Sequence, residues 1–208
     1  MTFTASLNGT SATGQVKVAA PVIKSIITKS GIYGLQNSTG TVVIGSPAPT
    51  GGLTVTLSSN SSYITVPASV NIAAGAIKAD FPITTGDPPI STLVTISGTL
   101  NGVKITHQTG VLPNTITSLS FSPSSVQGSS TKVVAGTVFL KAPVISDVVV
   151  TLHSANAHAT VPDTVTIPAG SRYANFVVGH TAVTTSTTVI IKASRLGASL
   201  SAGLTLTP

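Results

Sequence analysis

The sequence predicts an all-β protein in which two tandem antiparallel β-sandwiches follow an N-terminal β-hairpin. The first observation is an internal repeat, because residues 66–81 return as residues 161–176, an offset of 95 at every matched apolar and turn position. Such a fixed period indicates two copies of one small domain in a chain of 208 residues. The second observation is composition, with 19 Gly and 13 Pro and an abundance of Val, Ile and Thr, which favours strands and turns.

The third observation is apolar alternation, which is clear in residues 53–57 (Leu-Thr-Val-Thr-Leu). A period of two places one face of the strand on a core and leaves hydroxyl groups on the other face. No segment shows a helical apolar period, so we expect no helix. In the first repeat we predict strands at 22–28, 40–45, 53–58, 63–66, 69–73, 77–84, 93–98 and 103–111. In the second we predict them at 117–121, 133–140, 148–153, 159–161, 164–167, 173–178, 188–193 and 199–206.

Proline punctuates the expected boundaries, at Pro21, Pro113 and Pro208. We therefore assign residues 1–21 to a hairpin or assembly arm, 22–113 to the first sandwich and 114–208 to the second. Because proline restricts its own φ and favours extended geometry in the residue before it, we expect short, stiff joints and an extended arrangement of the domains.

The repeated stretch itself is interpreted as a structural signature of the domain. Gly75 and Gly170 are expected in turns that need a positive φ, and Phe81 and Phe176 as large core side chains. The copies keep their apolar and turn positions but change the polar ones, which suits a core better than a shared binding loop.

The N-terminal segment resembles the closing hairpin of each repeat. Its Asn8-Gly9 pair is a hairpin turn signal, and Asn101-Gly102 occupies the same place in the first repeat. Three hypotheses stay open: a remnant of a longer array, an arm that pairs with another subunit, or a hairpin packed on the first domain. An isolated hairpin is marginally stable, so we expect it to find a partner sheet. The residues assigned to assembly are Ala5, Leu7, Val16, Lys17, Val18 and Lys24.

Charge and chemistry limit the function classes. The chain has 10 Lys and Arg against 4 acidic residues, all Asp, and a net charge of +6. No two basic residues are adjacent and aromatic residues are not interleaved with them, so we expect no nucleic acid partner. The positive charge suits an acidic protein partner. No apolar run reaches the length of a membrane span, and the first residues lack the pattern of a secretory leader.

We expect no catalytic, cofactor or metal site. His153 and His158 lie close enough in sequence to meet across a turn, with Asp163 as a third ligand, but the first repeat has Ser58 and Tyr63 at the histidine positions. Four dispersed Asp residues do not suit a paired-carboxylate or calcium site. If the chain binds a ligand through loops, the candidate residues are Tyr33, Pro47, Pro49, Asp87 and Pro88.

The order of short motifs resembles the bacterial-type immunoglobulin-like (Ig-like) repeat. These motifs are Gly-Thr-Val, Val-x-Leu-x-Ser, Val-Pro-x-x-Val-x-Ile, Ala-Gly, Ala-x-Phe and a closing Leu-x-Leu, and they cover nearly the whole chain. The resemblance implies a non-enzymatic structural protein of a virion surface or of an extracellular or cell surface. Our main hypothesis is a phage virion component, such as a capsid decoration or fibre-like protein, with capsid or fibre proteins or further copies of the chain as partners. The alternative is an adhesive or spacer segment of a secreted bacterial cell-surface repeat protein, with a surface glycan or protein as ligand.

Overall fold

A computed structural model describes residues 2–15 and 19–208. These residues form twenty strands in five sheets and contain no helix, so within them nothing helical could cross a membrane. Val16, Lys17 and Val18, which we assigned to assembly, lie outside the described residues.

The N-terminal segment is a hairpin, as predicted. Strands β1 (Thr2–Leu7) and β2 (Thr10–Gln15) pair antiparallel with each other and with no other described strand. Asn8 and Gly9 form the turn, with φ values of 50° and 79°. A two-residue type I′ hairpin turn requires a positive φ at both of these positions. Every described residue of the two strands is exposed.

The first domain is a sandwich of two antiparallel sheets, one of which gains a short parallel edge strand. Its five-stranded sheet has the order β4 (Gly31–Tyr33), β11 (Val103–Leu112), β10 (Thr92–Leu100), β6 (Leu53–Ser59) and β8 (Ser69–Ile72). Its four-stranded sheet has the order β3 (Ile23–Ile27), β5 (Asn37–Ile44), β9 (Lys78–Thr85) and β7 (Ile64–Thr65).

The second domain repeats this topology strand for strand. Its five-stranded sheet has the order β13 (Ser125–Gln127), β20 (Ala198–Thr207), β19 (Thr187–Arg195), β15 (Val148–Ser154) and β17 (Thr164–Ile167). Its four-stranded sheet has the order β12 (Ile116–Ser122), β14 (Val134–Leu140), β18 (Tyr173–His180) and β16 (Ala159–Thr160). The all-β class and the tandem sandwiches behind a hairpin are thus confirmed.

Two strands were missed by the sequence-based prediction, namely β4 and β13. Each has three residues and pairs parallel with the last strand of its own domain, about 80 residues further along the chain. A strand this short has too few residues to show alternation, and its partner is far away in sequence.

A phenylalanine packed over a glycine organises each core. Phe81 lies opposite Gly40 and Phe176 lies opposite Gly136, on neighbouring strands of the four-stranded sheets. A Cβ atom on either glycine would lie 2.3 Å from Cζ of the facing ring. The ring therefore occupies the space of the missing side chain, which explains why Gly-Thr-Val and Ala-x-Phe recur together in both repeats.

Candidate functional site

The candidate site is the joint between the two sandwiches, formed by residues 34–36 and Asp87 of the first domain and by Asn114, residues 142–145 and Arg195 of the second. Leu35 has a φ of 58°, and its amide donates to the carbonyl of Gly86 at 3.0 Å. This geometry directs the Leu35 side chain against the hydrophobic core of the second domain. The amide of Ile145 in turn donates to the Leu35 carbonyl at 2.9 Å.

Asn114 links three segments at the centre of the joint. Its side-chain amide nitrogen donates to the carbonyl oxygens of Gly34 at 3.2 Å and Ala142 at 3.1 Å. Its side-chain oxygen accepts from the Ala142 amide at 3.0 Å. Asn114 is 0% exposed, so these three bonds satisfy a polar side chain that has no access to water.

Arg195 completes the joint with a buried charge. It lies at the end of β19, beside a turn in which Leu196 and Gly197 have φ values of 52° and 77°, and it is 7% exposed. Its guanidinium donates to the main-chain oxygen of Asn114 at 2.5 Å and to the carboxylate of Asp87 in the first domain. A buried charge is tolerated when it is paired and hydrogen-bonded, and the Arg195 guanidinium meets both conditions through Asp87 and the Asn114 carbonyl.

The side chains that form the joint are not conserved between the two repeats. The position of Arg195 holds Leu100 in the first domain, where the residue also begins the hairpin turn. The equivalent place in the second domain, which we call its far end, lies away from the joint. There the Gly128 amide donates to the Thr207 carbonyl, as the Gly34 amide donates to the Leu112 carbonyl in the first domain. The residues that correspond there to Leu35, Gln36 and Asp87 are Ser129, Ser130 and Ala182. The far end thus lacks both the apolar and the acidic group of the joint.

The five predicted loop residues are not brought together. Asp87 and Pro88 lie in or beside the joint, and Tyr33 lies on its flank, where the Nζ of Lys141 is 6.0 Å from the ring centroid. Pro47 and Pro49 are exposed in the loop that follows β5, at the opposite end of that strand. Recognition through these loops stays a prediction.

The predicted assembly residues that the structure describes are all exposed. Ala5 and Leu7 share one face of the hairpin with Phe3 and Ala12, because side chains alternate and Ala5 pairs with Ala12. Lys24 is exposed on β3. The assembly hypothesis therefore stays a prediction. It is supported by the apolar face of the hairpin, which no other described part of the chain covers.

His158 and His180 contact loops of their own domain. The Nδ1 of His158 is 3.0 Å from the Thr181 hydroxyl, and the ring nitrogens of His180 are 3.1 and 2.8 Å from the carbonyl oxygens of Gly128 and Lys132. Within residues 2–15 and 19–208, no three His, Cys, Asp or Glu side chains are grouped in a way that could hold a metal ion.

Comparison with known proteins finds similarity in structure alone. No family model matches the sequence, and no curated protein is similar to it. The D0-D1 domain of intimin is 13% identical with a TM-score of 0.38, over 91% of this chain and 100% of that chain. Invasin, a bacterial integrin-binding protein, is 15% identical with a TM-score of 0.47, over 91% of this chain and 40% of that chain. Domains 4 and 5 of the S-layer protein SbsC are 14% identical with a TM-score of 0.40, over 93% and 100% of the two chains.

These similarities carry no inference about a binding partner. The fold is evident from the molecule itself, since each domain packs a five-stranded and a four-stranded sheet around one core. The strand order of each sheet is the same in both domains. The protein is a tandem repeat of Ig-like β-sandwiches.

Proposed function

We propose that the chain is a non-enzymatic spacer segment of an extracellular, bacterial cell-surface repeat protein, in which the joint holds two Ig-like sandwiches in one orientation. The observation that carries the proposal is the Arg195–Asp87 ion pair, a part-buried contact between a hairpin of the second domain and a loop of the first. Interfaces between domains of one chain are by default mobile, so a fixed joint needs a specific device.

Three directional contacts supply that device. The Arg195 guanidinium, the Asn114 side chain and the Leu35 carbonyl each bond across the joint, and they come from three separate segments of the chain. Rotation of one domain against the other breaks at least one of these bonds. Burial of the Leu35 side chain against the second core favours the closed state, since apolar contact is lost whenever the joint opens.

Three of the four carboxylates support a structural role over a catalytic one. Asp87 is committed to the joint, Asp80 accepts from the Thr41 hydroxyl at 2.6 Å, and Asp147 accepts from the Ala169 amide at 2.9 Å. Each of these three acids is engaged by another part of the chain, and general acid–base chemistry needs carboxyl groups that face a substrate.

Of the two hypotheses from the sequence, the spacer of a bacterial surface protein is the better supported. A spacer requires a module-to-module joint, and the chain has one built from side chains that the second domain's far end lacks. A capsid decoration or fibre requires contacts between subunits, for which the structure offers the exposed hairpin at 2–15. The virion role stays a prediction from the sequence.

A distance distribution between equivalent points of the two domains tests the proposal. The chain has no Cys, so spin labels at Ser69→Cys and Thr164→Cys, both exposed and 95 residues apart in the repeat, report on the joint alone. Pulsed dipolar spectroscopy is expected to give one narrow distance. The same label pair is then measured in Leu35→Ser, which introduces the residue found at the corresponding far-end position, Ser129. This variant is expected to give a broad distance distribution, because it loses the apolar contact with the second core. A broad distribution in the otherwise unchanged protein would refute the spacer.

A further inference from the structure

The outer face of the four-stranded sheet of the second domain carries an aromatic pair. Phe139 and Tyr173 are partners on β14 and β18, with ring centroids 5.2 Å apart and planes inclined at 29°. Tyr173 is 46% exposed, in a chain with only 5 Phe, 3 Tyr and no Trp. The equivalent pair in the first domain is Val43 and Lys78, so the sandwich itself does not require aromatic rings at these positions.

One cation, Arg172, lies beside this pair, and a second, Lys141, follows Phe139 by two residues. The guanidinium carbon of Arg172 is 5.4 Å from the centroid of the Phe139 ring, and the Nζ of Lys141 lies over the Tyr33 ring across the joint. The one ion pair in the described part of the chain is Arg195–Asp87, so neither of these cations has a carboxylate partner there. The first domain has Ile77 in place of Arg172 and Gly45 in place of Lys141.

Side-chain contacts link these groups in what we call the aromatic–cation strip (Tyr33, Phe139, Lys141, Arg172 and Tyr173), in which Tyr33 is joined to the others through Lys141. Leu140 is fully buried, so its neighbours Phe139 and Lys141 point to the opposite, outer side. The Leu140 amide bonds to the Arg172 carbonyl at 2.8 Å. The Lys141 amide bonds to the Thr115 carbonyl at 3.1 Å, which fixes the strand on both sides.

We propose that the aromatic–cation strip binds an acidic glycan. The exposed face of Tyr173 offers a flat apolar surface on which the C–H face of a pyranose ring can stack. The guanidinium of Arg172 offers parallel N–H donors that match a carboxylate or sulfate, and Lys141 adds a second positive charge. Charge complementarity therefore selects an anionic ligand, and the ring selects one with a flat apolar face.

The cations are positioned before the ligand arrives. Stacking on Phe139 and on Tyr33 restricts the rotamers of Arg172 and Lys141, so less conformational entropy is lost on binding. Tyr173, Phe139 and Arg172 all belong to the second domain, so this part of the strip does not depend on the spacer role, and only the contact of Lys141 with Tyr33 crosses the joint.

The test is an NMR titration of the full chain at fixed ionic strength with a hyaluronan octasaccharide, which is carboxylated, and a heparin octasaccharide, which is sulfated. At least one is expected to shift the amide signals of the aromatic–cation strip. Chitotetraose, a neutral glycan, is expected to bind at least about tenfold more weakly. Arg172→Ala and Tyr173→Ser are each expected to weaken binding by about tenfold or more.

Val177→Ser is the matched control, because Val177 is on the same strand and face as Tyr173, is 63% exposed and lies outside the strip. It is expected to bind like the unchanged protein, and the amide spectra verify that each variant is folded. Failure of both acidic glycans to bind would overturn the proposal, as would equal losses in Tyr173→Ser and Val177→Ser. Tighter binding of a thymidine octanucleotide than of either glycan would assign the strip to single-stranded nucleic acid instead.

Discussion

Removal of the Asp87 carboxylate tests the energetics of the joint. In Asp87→Ala, the Arg195 guanidinium keeps its bond to the Asn114 carbonyl but loses its counter-charge, while its side chain is only 5% exposed. Loss of one partner from a buried ion pair costs about 3–5 kcal/mol. Two features reduce this value: the Asp87 side chain is 28% exposed, and its Oδ1 is buried without a hydrogen-bond partner. We expect a loss of about 2–3 kcal/mol in the free energy of unfolding.

A double variant separates the charge from the packing. The double variant combines Asp87→Ala with Arg195→Leu. Leucine is the residue at the equivalent position of the first domain, Leu100, which is also buried. Replacement of a buried ion pair by apolar side chains is often neutral, so we expect the double variant to recover most of the loss.

Urea unfolding followed by the amide signals of each domain measures both variants. The cost of Asp87→Ala is expected to persist in 1 M salt, because salt screens buried charges much less than exposed ones. A loss below about 0.5 kcal/mol in Asp87→Ala, or a double variant no more stable than that single variant, would refute the reasoning.

The remaining predictions concern the core, the hairpin and the joint. Gly136→Ala is expected to cost about 1–3 kcal/mol in urea unfolding because its Cβ meets the Phe176 ring, whereas Gly14→Ala, which meets nothing within 4 Å, is expected to be neutral. Amides of residues 2–15 are expected to exchange far faster than core amides in a dilute sample, and equal protection would show that the hairpin packs on a domain. Leu35→Ser is expected to lower the unfolding free energy by about 1–2 kcal/mol, and an unchanged midpoint would contradict its packing against the second core.

Local pattern was sufficient for most of the fold. The repeat and the alternation predicted all strands of five or more residues, and the positive φ expected at Gly75 and Gly170 is confirmed at 77° and 82°. These features depend on neighbours in sequence. The pairing of Gly40 with Phe81 joins strands that are distant in sequence, so local pattern does not predict it. The same two residue types recur as Gly136 and Phe176, and a comparison of the two repeats could have revealed the pair.

The joint was not predicted, because its partners are remote. Arg195 and Asp87 are 108 residues apart, and Asp87 was interpreted as part of a recognition loop. One signal was present: Arg195 replaces Leu100 at an inward position of the closing hairpin, and Asp87 replaces the apolar Ala182 of the other repeat. A charge at an inward position predicts a buried counter-charge in the neighbouring domain. Of the two acids in the first repeat, Asp80 has an amide, Asn175, as its counterpart and Asp87 has none, which made Asp87 the candidate.

The orientation of the two domains in solution tests the central claim most directly. Residual dipolar couplings of backbone amides, measured in one alignment medium, give an alignment tensor for each domain separately. A fixed joint predicts that the two tensors have the same magnitude and the same axes in the frame of this structure. Tensors of clearly different magnitude would show that the domains move independently, and would contradict the role assigned to Arg195, Asp87, Asn114 and Leu35.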